Sequence, residues 1–168
     1  MTMTTREEQD RFLSEEYAEA NRYMDNAKEV LRKAGKDGNN YTDKKYVKMA
    51  SGTAYNGVLI ALDAWFVLKG IPTPSGDKRK SIKFYMSSIA QMDRKLAATM
   101  DDVYNILHLS GYYDGITNVK VIAEGFELAH NIIEKIKPEH FVPVKETRAQ
   151  GIKRGLNNLL VSIAVMFK

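Results

Sequence analysis

The sequence predicts an all-α, up-and-down bundle of five to six helices, forming a single domain over residues 1–168. Three observations lead to this fold class. Apolar residues recur at steps of three and four through most of the chain. Clusters of glycine and proline divide these periodic stretches. The longest apolar run, from Ala50 to Gly70, has only Asp63 and Lys69 as ionisable residues.

The first helix begins at a capping box, in which Glu8 stands three residues after Thr5. Gly35 and Gly38 end it, and the segment KDGNN forms the turn that follows. The regular spacing of its inward residues favours packing at a shallow angle against another long helix. These residues are Leu13, Tyr17, Ala20, Met24, Ala27, Leu31 and Ala34.

The second helix starts at a cap on Thr42 or Asp43 and runs to Gly70. It is apolar around most of its circumference, so we expect neighbours to cover every side of it. The segment IPTPSG then stops the helix with two prolines. Asp77 is the predicted cap of the next helix.

The stretch from Lys78 to Tyr113 remains helical in pattern, but its length of 36 residues predicts a break. Asp93 or Thr99 could cap the second of the two helices, and the spacing leaves both open. A further helix opens at Thr117 or Asn118. It ends at a short linker that contains two prolines, at positions 138 and 143.

The last stretch, 146–168, ends in the apolar run LLVSIAVMF at residues 159–167. This run is predicted to be helical because no other segment reads as a partner strand. It could close the core of the bundle, or it could form the seam of a homodimer, since an uncovered apolar terminus favours association. Both interpretations stay open, and a homodimer is the expected oligomer.

The composition favours a cytoplasmic protein without a membrane span. The chain has no cysteine, as is usual in a reducing compartment, and its central apolar run is interrupted by polar residues. Residues 1–29 carry four basic and eight acidic side chains, a balance of −4. Since the net charge of the chain is +4, the remaining residues carry +8. A basic body could bind nucleic acid, but scattered lysines favour an ordinary solvated surface.

Asn56 and Asp63 lie seven residues apart on one side of the most apolar helix. A carboxylate there needs a partner or a neutral form, because burying an unpaired charge is costly. One interpretation is a polar pocket between helices, lined also by tyrosines, with Asp63 as a base or a small-molecule ligand. The favoured one is a structural hydrogen bond to a tyrosine, a lysine or a helix end.

His108, Tyr112 and Asp114 form a second candidate group near a helix terminus. Histidine transfers protons readily near neutral pH, but a histidine close to a glycine-flanked helix end is the simpler and favoured interpretation. His130 and His140 have no partner at metal-binding spacing, so neither a metal nor a cofactor is expected. The catalytic residues, if the protein has any, are not identified by a motif.

The order of these features resembles the HEPN superfamily of helical bundles over roughly residues 15–137. Four segments carry this resemblance. They are a long first helix (EEYAEANRYMDNAKEVLRKAG), a central helix (AYNGVLIALDAWFVLKG), a tyrosine–aspartate cluster (NILHLSGYYDG) and an apolar-faced helix (AEGFELAHNIIEKI). The resemblance implies a helical dimer that acts as a nuclease of toxin–antitoxin or defence systems, or as a non-catalytic binding module.

The nuclease members of that superfamily carry an arginine shortly before a histidine. The positions five to seven residues before His108, His130 and His140 hold no arginine. The nearest substitute is Lys135, which Pro138 separates from His140. The leading prediction is therefore a homodimeric, non-catalytic module that interacts with a protein partner, and the alternative is an RNA-binding or RNase-like protein.

Overall fold

The computed structural model describes residues 5–72, 74 and 80–139, and it confirms the all-α helical bundle. Over these residues the fold consists of five α-helices, one π-helical segment and one minimal β-hairpin. In chain order the elements are α1 (Arg6–Arg32), β1 (Lys36–Asp37), β2 (Asn40–Tyr41), α2 (Lys44–Leu68), α3 (Ile82–Ala90), α4 (Arg94–Val103), the π segment (Tyr104–Asp114) and α5 (Val119–Lys135). The predictions for 146–168 and for His140 lie outside the described residues.

The starts of α1, α2 and α5 follow caps that the sequence predicts. Thr5 and Glu8 form the capping box of α1. Of the two alternatives for α2, Asp43 is the cap and accepts from the backbone N–H of Lys45. Asn118 caps α5 in the same way. The predicted cap of the next helix, Asp77, is wrong, because α3 begins only at Ile82 and Ser81 caps it by accepting from the backbone N–H of Phe84.

The turn after α1 is a β-hairpin of two residues per strand, which the helical pattern does not predict. The Tyr41 backbone N–H donates to the carbonyl of Thr117, and the Val119 N–H donates to the carbonyl of Asn39. The hairpin therefore joins the start of α2 to the start of α5. Backbone groups that no helix uses are satisfied in this way.

The predicted break inside 78–113 falls between α3 and α4, and Asp93 caps α4 by accepting from the backbone N–H of Leu96. The alternative cap, Thr99, is wrong. Thr99 lies within α4 and its hydroxyl donates to the carbonyl of Lys95. Lys135 of α5 pairs with the Asp93 carboxylate, so this cap also joins α4 to α5.

The π segment continues α4 without a break and ends at Gly115, whose φ is 69°. Such a conformation favours glycine because a Cβ would be strained there. Eleven residues are unusual for a π-helix, since most π-helices are single turns, often at functional sites. The sequence gives no sign of this element.

Helix α2 occupies the centre of the bundle and packs against α1, the π segment and α5. At Gly57 the backbone of α1 comes close, because a Cβ there would lie 3.0 Å from the carbonyl oxygen of Ala20. Among the residues that the structure describes, neighbours do not cover every side of α2. Met49 is 47% exposed and Val67 is 43% exposed, so the described neighbours leave one side of the helix open.

Candidate functional site

Asp63 forms two polar contacts that link α2 to the segment around α3. The Tyr85 hydroxyl donates to its Oδ1 at 2.7 Å, and Lys80 Nζ lies 2.8 Å from its Oδ2. The Asp63 side chain is 37% exposed, whereas Tyr85 is buried. Burial and the Asp63 acceptor both raise the pKa of Tyr85, so the phenol keeps its proton and remains a donor.

These bonds to a tyrosine and a lysine are of the structural kind. Asn56, two turns earlier on α2, is exposed on the open side of the helix. Among the described residues, Asn56 and Asp63 thus lie on an exposed stripe of α2, and the Asp63 carboxylate has Tyr85 and Lys80 as partners. Part of the Asp63 carboxylate remains exposed to solvent.

His108 and Tyr112 belong to a row of four rings on the outer side of the π segment, which we call the aromatic strip: Tyr104, His108, Tyr112 and Tyr113. His108 stacks on Tyr104 with ring centroids 5.1 Å apart and on Tyr112 at 5.9 Å. Tyr113 meets His108 edge-on at 5.3 Å. Residues four and five apart share a side because a turn of π-helix takes more residues than an α-turn.

Tyr55 of α2 supports the aromatic strip from below. Its ring lies 4.7 Å from that of His108 and 6.1 Å from that of Tyr104. Tyr55 is buried, while Tyr113 at the other end of the strip is 63% exposed. The strip therefore has a fixed base and an accessible outer surface.

Burial lowers the pKa of His108 below its ordinary value, so the imidazole is neutral at pH 7. A neutral ring stacks on phenols without the cost of desolvating a charge. Asp114, the third member of the predicted group, is exposed at the end of the π segment. His108 and Tyr112 are thus brought together, whereas Asp63 contacts Tyr85 and Lys80 elsewhere on α2.

Small residues hold the π segment close to its two neighbouring helices. A Cβ on Gly111 would lie 2.4 Å from Ser51 Oγ of α2, and one on Gly125 of α5 would lie 2.6 Å from Ile106 Cγ2. The Tyr112 ring covers Gly52, where a Cβ would be 3.0 Å away. These glycines are the sequence signal for the site, but their partners become apparent only in three dimensions.

Two lysines lie beside the end of the aromatic strip. The alkyl chains of Lys44 and Lys48 both approach Gly115, to 3.2 Å from the position that a Cβ would take. Their stems thus cover the turn after Tyr113, and their charged groups extend toward water. The strip combines half-exposed rings with a basic edge.

Neither a metal centre nor a membrane span is found in the part of the chain that the structure describes. Its histidines, aspartates and glutamates form no group of three or more that could bind a metal ion. None of the helices described is long and apolar enough to cross a bilayer. His130 is exposed on α5.

The architecture and the site define an all-α helical-bundle domain with an aromatic surface. The chain belongs to the family described as a domain of unknown function, DUF5618, whose model matches residues 15–138. No curated protein matches the sequence.

A solved structure with the same fold comes from Dyadobacter fermentans, where it is described as a protein of unknown function. It is 42% identical in sequence to this chain, with a TM-score of 0.66. The match covers 74% of this chain and 95% of that one. The architecture is therefore shared, and the comparison assigns no activity.

Proposed function

We propose that the protein is a non-catalytic, homodimeric interaction module of the cytoplasm, formed by one domain over residues 1–168, and that it binds a protein partner through the aromatic strip. The observation that carries this proposal is the strip itself. Rings that are fixed at the base and exposed at the edge, such as Tyr113, are typical of binding surfaces.

The chemistry of the titratable groups supports a non-catalytic role. His108 is packed among tyrosine rings, and the carboxylate of Asp63 is held by Tyr85 and Lys80. A general base needs a neighbouring group that it can activate. In both groups the side chain instead contacts residues that hold it in place.

A photo-crosslinking residue at position 113 tests the binding surface. We expect it to form a discrete adduct with a partner protein in cells that express the chain. The same residue at Asn26, which is exposed on α1, is the control. Adducts that are equal at both positions, or absent at both, would count against the aromatic strip as the binding surface.

The second candidate is an RNA-binding or RNase-like protein of the HEPN type. It is favoured by the lysines beside exposed aromatic rings, since such surfaces stack on bases and contact phosphates. A fluorescent single-stranded RNA distinguishes the two candidates. Binding that weakens steeply with salt supports the second candidate. Cleavage of the RNA that the His108→Ala substitution abolishes overturns the non-catalytic role. RNA that stays intact and unbound supports the first candidate.

The homodimer is tested by light scattering on the full chain and on a chain that ends at Asn158. A dimer that becomes a folded monomer on truncation would make the run 159–167 the interface. A full chain that is monomeric at every concentration would contradict the homodimer.

A further inference from the structure

Among the described residues, helix α2 has one exposed side although it contains the longest apolar run of the sequence. We call this side the α2 outer face. Its members follow one another at steps of three and four and therefore lie in one stripe along the helix. They are Lys45, Met49, Gly52, Asn56, Ile60, Asp63 and Val67.

The opposite side of α2 is buried over its whole length, with Ala50, Ala54 and Ala61 almost completely enclosed. The exposed apolar members of the outer face, Met49 and Val67, lie 18 residues apart, toward its two ends. At 1.5 Å per residue this separation is about 27 Å. Two large apolar side chains on one exposed stripe of this length favour a partner that is itself a helix.

We propose that the α2 outer face is a homodimer interface, across which two copies of the chain pack their α2 helices antiparallel. This inference rests on the homodimer of the proposed function and names its surface. The spacing of the stripe is that of helices that cross at a shallow angle. Near its centre the face presents the exposed Asn56, while the neighbouring Gly52 is covered by the ring of Tyr112.

The charges on the face favour a second copy in the antiparallel orientation. Lys45 and Asp63 are each nine residues from Ala54, on opposite sides of it. In an antiparallel pair centred at that level, Lys45 of each copy lies opposite Asp63 of the other, whose carboxylate also pairs with Lys80 of its own chain. A parallel pair would place like charges together.

Asp63 can contact the second copy because its side chain is 37% exposed. Each of its carboxylate oxygens can also accept a second hydrogen bond besides the contact with Tyr85 or Lys80. Tyr112 lies over Gly52 at the edge of the face, so its half-buried ring would extend the contact. The face is thus self-complementary in charge and continuous with the aromatic strip. A two-fold axis through the middle of the face would give both copies the same contacts.

The test is sedimentation velocity on the full chain over a range of concentrations. The Asn56→Arg substitution places two cations together at the centre of the dimer, and we expect the dissociation constant to rise at least about tenfold, where each factor of ten corresponds to ~1.4 kcal/mol. Asn26→Arg makes the same change at an exposed position of α1, so it should leave the dissociation constant unchanged. Circular dichroism verifies that both variants fold.

A monomeric full chain, or a dimer that Asn56→Arg does not weaken, would overturn the inference. Lys45→Glu is a second variant and should also weaken the dimer. If truncation after Asn158 dissociates the dimer while Asn56→Arg does not, the interface is the run 159–167. The crosslinking test at position 113 reports on partner binding at the aromatic strip, so it can fail while the dimer interface holds, whereas a monomeric full chain contradicts the homodimer in both proposals.

Orientation can be tested by disulfide crosslinking, because the chain has no cysteine of its own. In the antiparallel register Met49 lies close to Ile60 of the other copy. A mixture of Met49→Cys and Ile60→Cys chains should therefore crosslink between the two variants. Crosslinking of Met49→Cys to itself would show a parallel pair and overturn the antiparallel arrangement.

Discussion

At the scale of single residues, the polar groups of α2 and the π segment stabilise the fold through specific partners. Asp63 is the clearest case, because a carboxylate in an apolar helix is tolerated when it accepts from Tyr85 and pairs with Lys80. His108 is the converse case. It avoids the cost of a buried charge by remaining neutral among tyrosine rings.

The Tyr85→Phe substitution removes the hydrogen bond to Asp63 and keeps the buried ring. We expect a loss of about 1 kcal/mol in the free energy of unfolding, because the half-exposed carboxylate can replace the bond with water. Urea denaturation measures the loss. Tyr113→Phe, at an exposed position, is the control, and an equal effect of both substitutions would contradict the role of the bond.

His108 predicts a dependence of stability on pH. Its pKa in the folded protein is below that in the unfolded chain, which is ~6.5. The unfolded state therefore takes up the proton first, and stability that is complete above pH ~6.5 falls as the pH decreases through that value. We expect His108→Gln to reduce the loss of unfolding free energy between pH 7.5 and 5.5, and an unchanged loss would refute this prediction.

At the scale of elements, the π segment is the part of the fold that depends most on close packing. It lies between α2 and α5, and glycines allow both approaches. Gly111 faces Ser51, whose buried hydroxyl has no hydrogen-bond partner in the part of the chain that the structure describes. This unpaired hydroxyl accompanies the close contact between the π segment, which carries the aromatic strip, and α2.

The Gly111→Ala substitution should overpack this contact, since the new Cβ would lie 2.4 Å from Ser51 Oγ and 2.7 Å from Ser51 Cβ. We expect a loss of about 1–3 kcal/mol in the free energy of unfolding. Adding Ser51→Gly restores the space, so the double variant should be less destabilised than the sum of the single variants, by about 1 kcal/mol. Additive losses in urea denaturation would show that the two residues do not limit the approach.

At the scale of the whole molecule, α2 is the shared neighbour of α1, the π segment and α5. The short α3 packs mainly on α4 and on the C-terminal end of α2, through contacts such as those of Phe84 and Tyr85 with Phe66. Among the described elements, α2 thus packs against three neighbours and α3 against fewer. We therefore expect α3 to open locally more often than α2.

Hydrogen exchange followed by mass spectrometry tests this hierarchy. We expect the slowest exchange in the middle of α2, around Val58 and Leu62, and the fastest helical exchange in α3. The physical reason is that opening α2 separates three interfaces, whereas opening α3 exposes little of the core. Equal protection of the two helices would contradict the hierarchy.

The sequence by itself determined the fold class, the cap at Thr5 and the four long helical stretches of the described chain, and it narrowed the caps of α2, α4 and α5 to two alternatives each. These features depend on local chemistry, because a cap and an apolar period involve residues within a few positions of one another. It also brought forward Asp63, His108 and Tyr112 as unusual side chains. It gave two alternatives for the α4 cap, and local patterns did not choose between them.

The tertiary structure alone decided the partners of those side chains. Asp63 meets Tyr85 from 22 positions away, and His108 meets Tyr55 of another helix, because the crossing of helices sets these pairs and no local pattern encodes them. The π segment and the open side of α2 were missed for the same reason. An apolar period shows that a helix face is suited to burial, but only the arrangement of neighbouring helices decides which faces are covered.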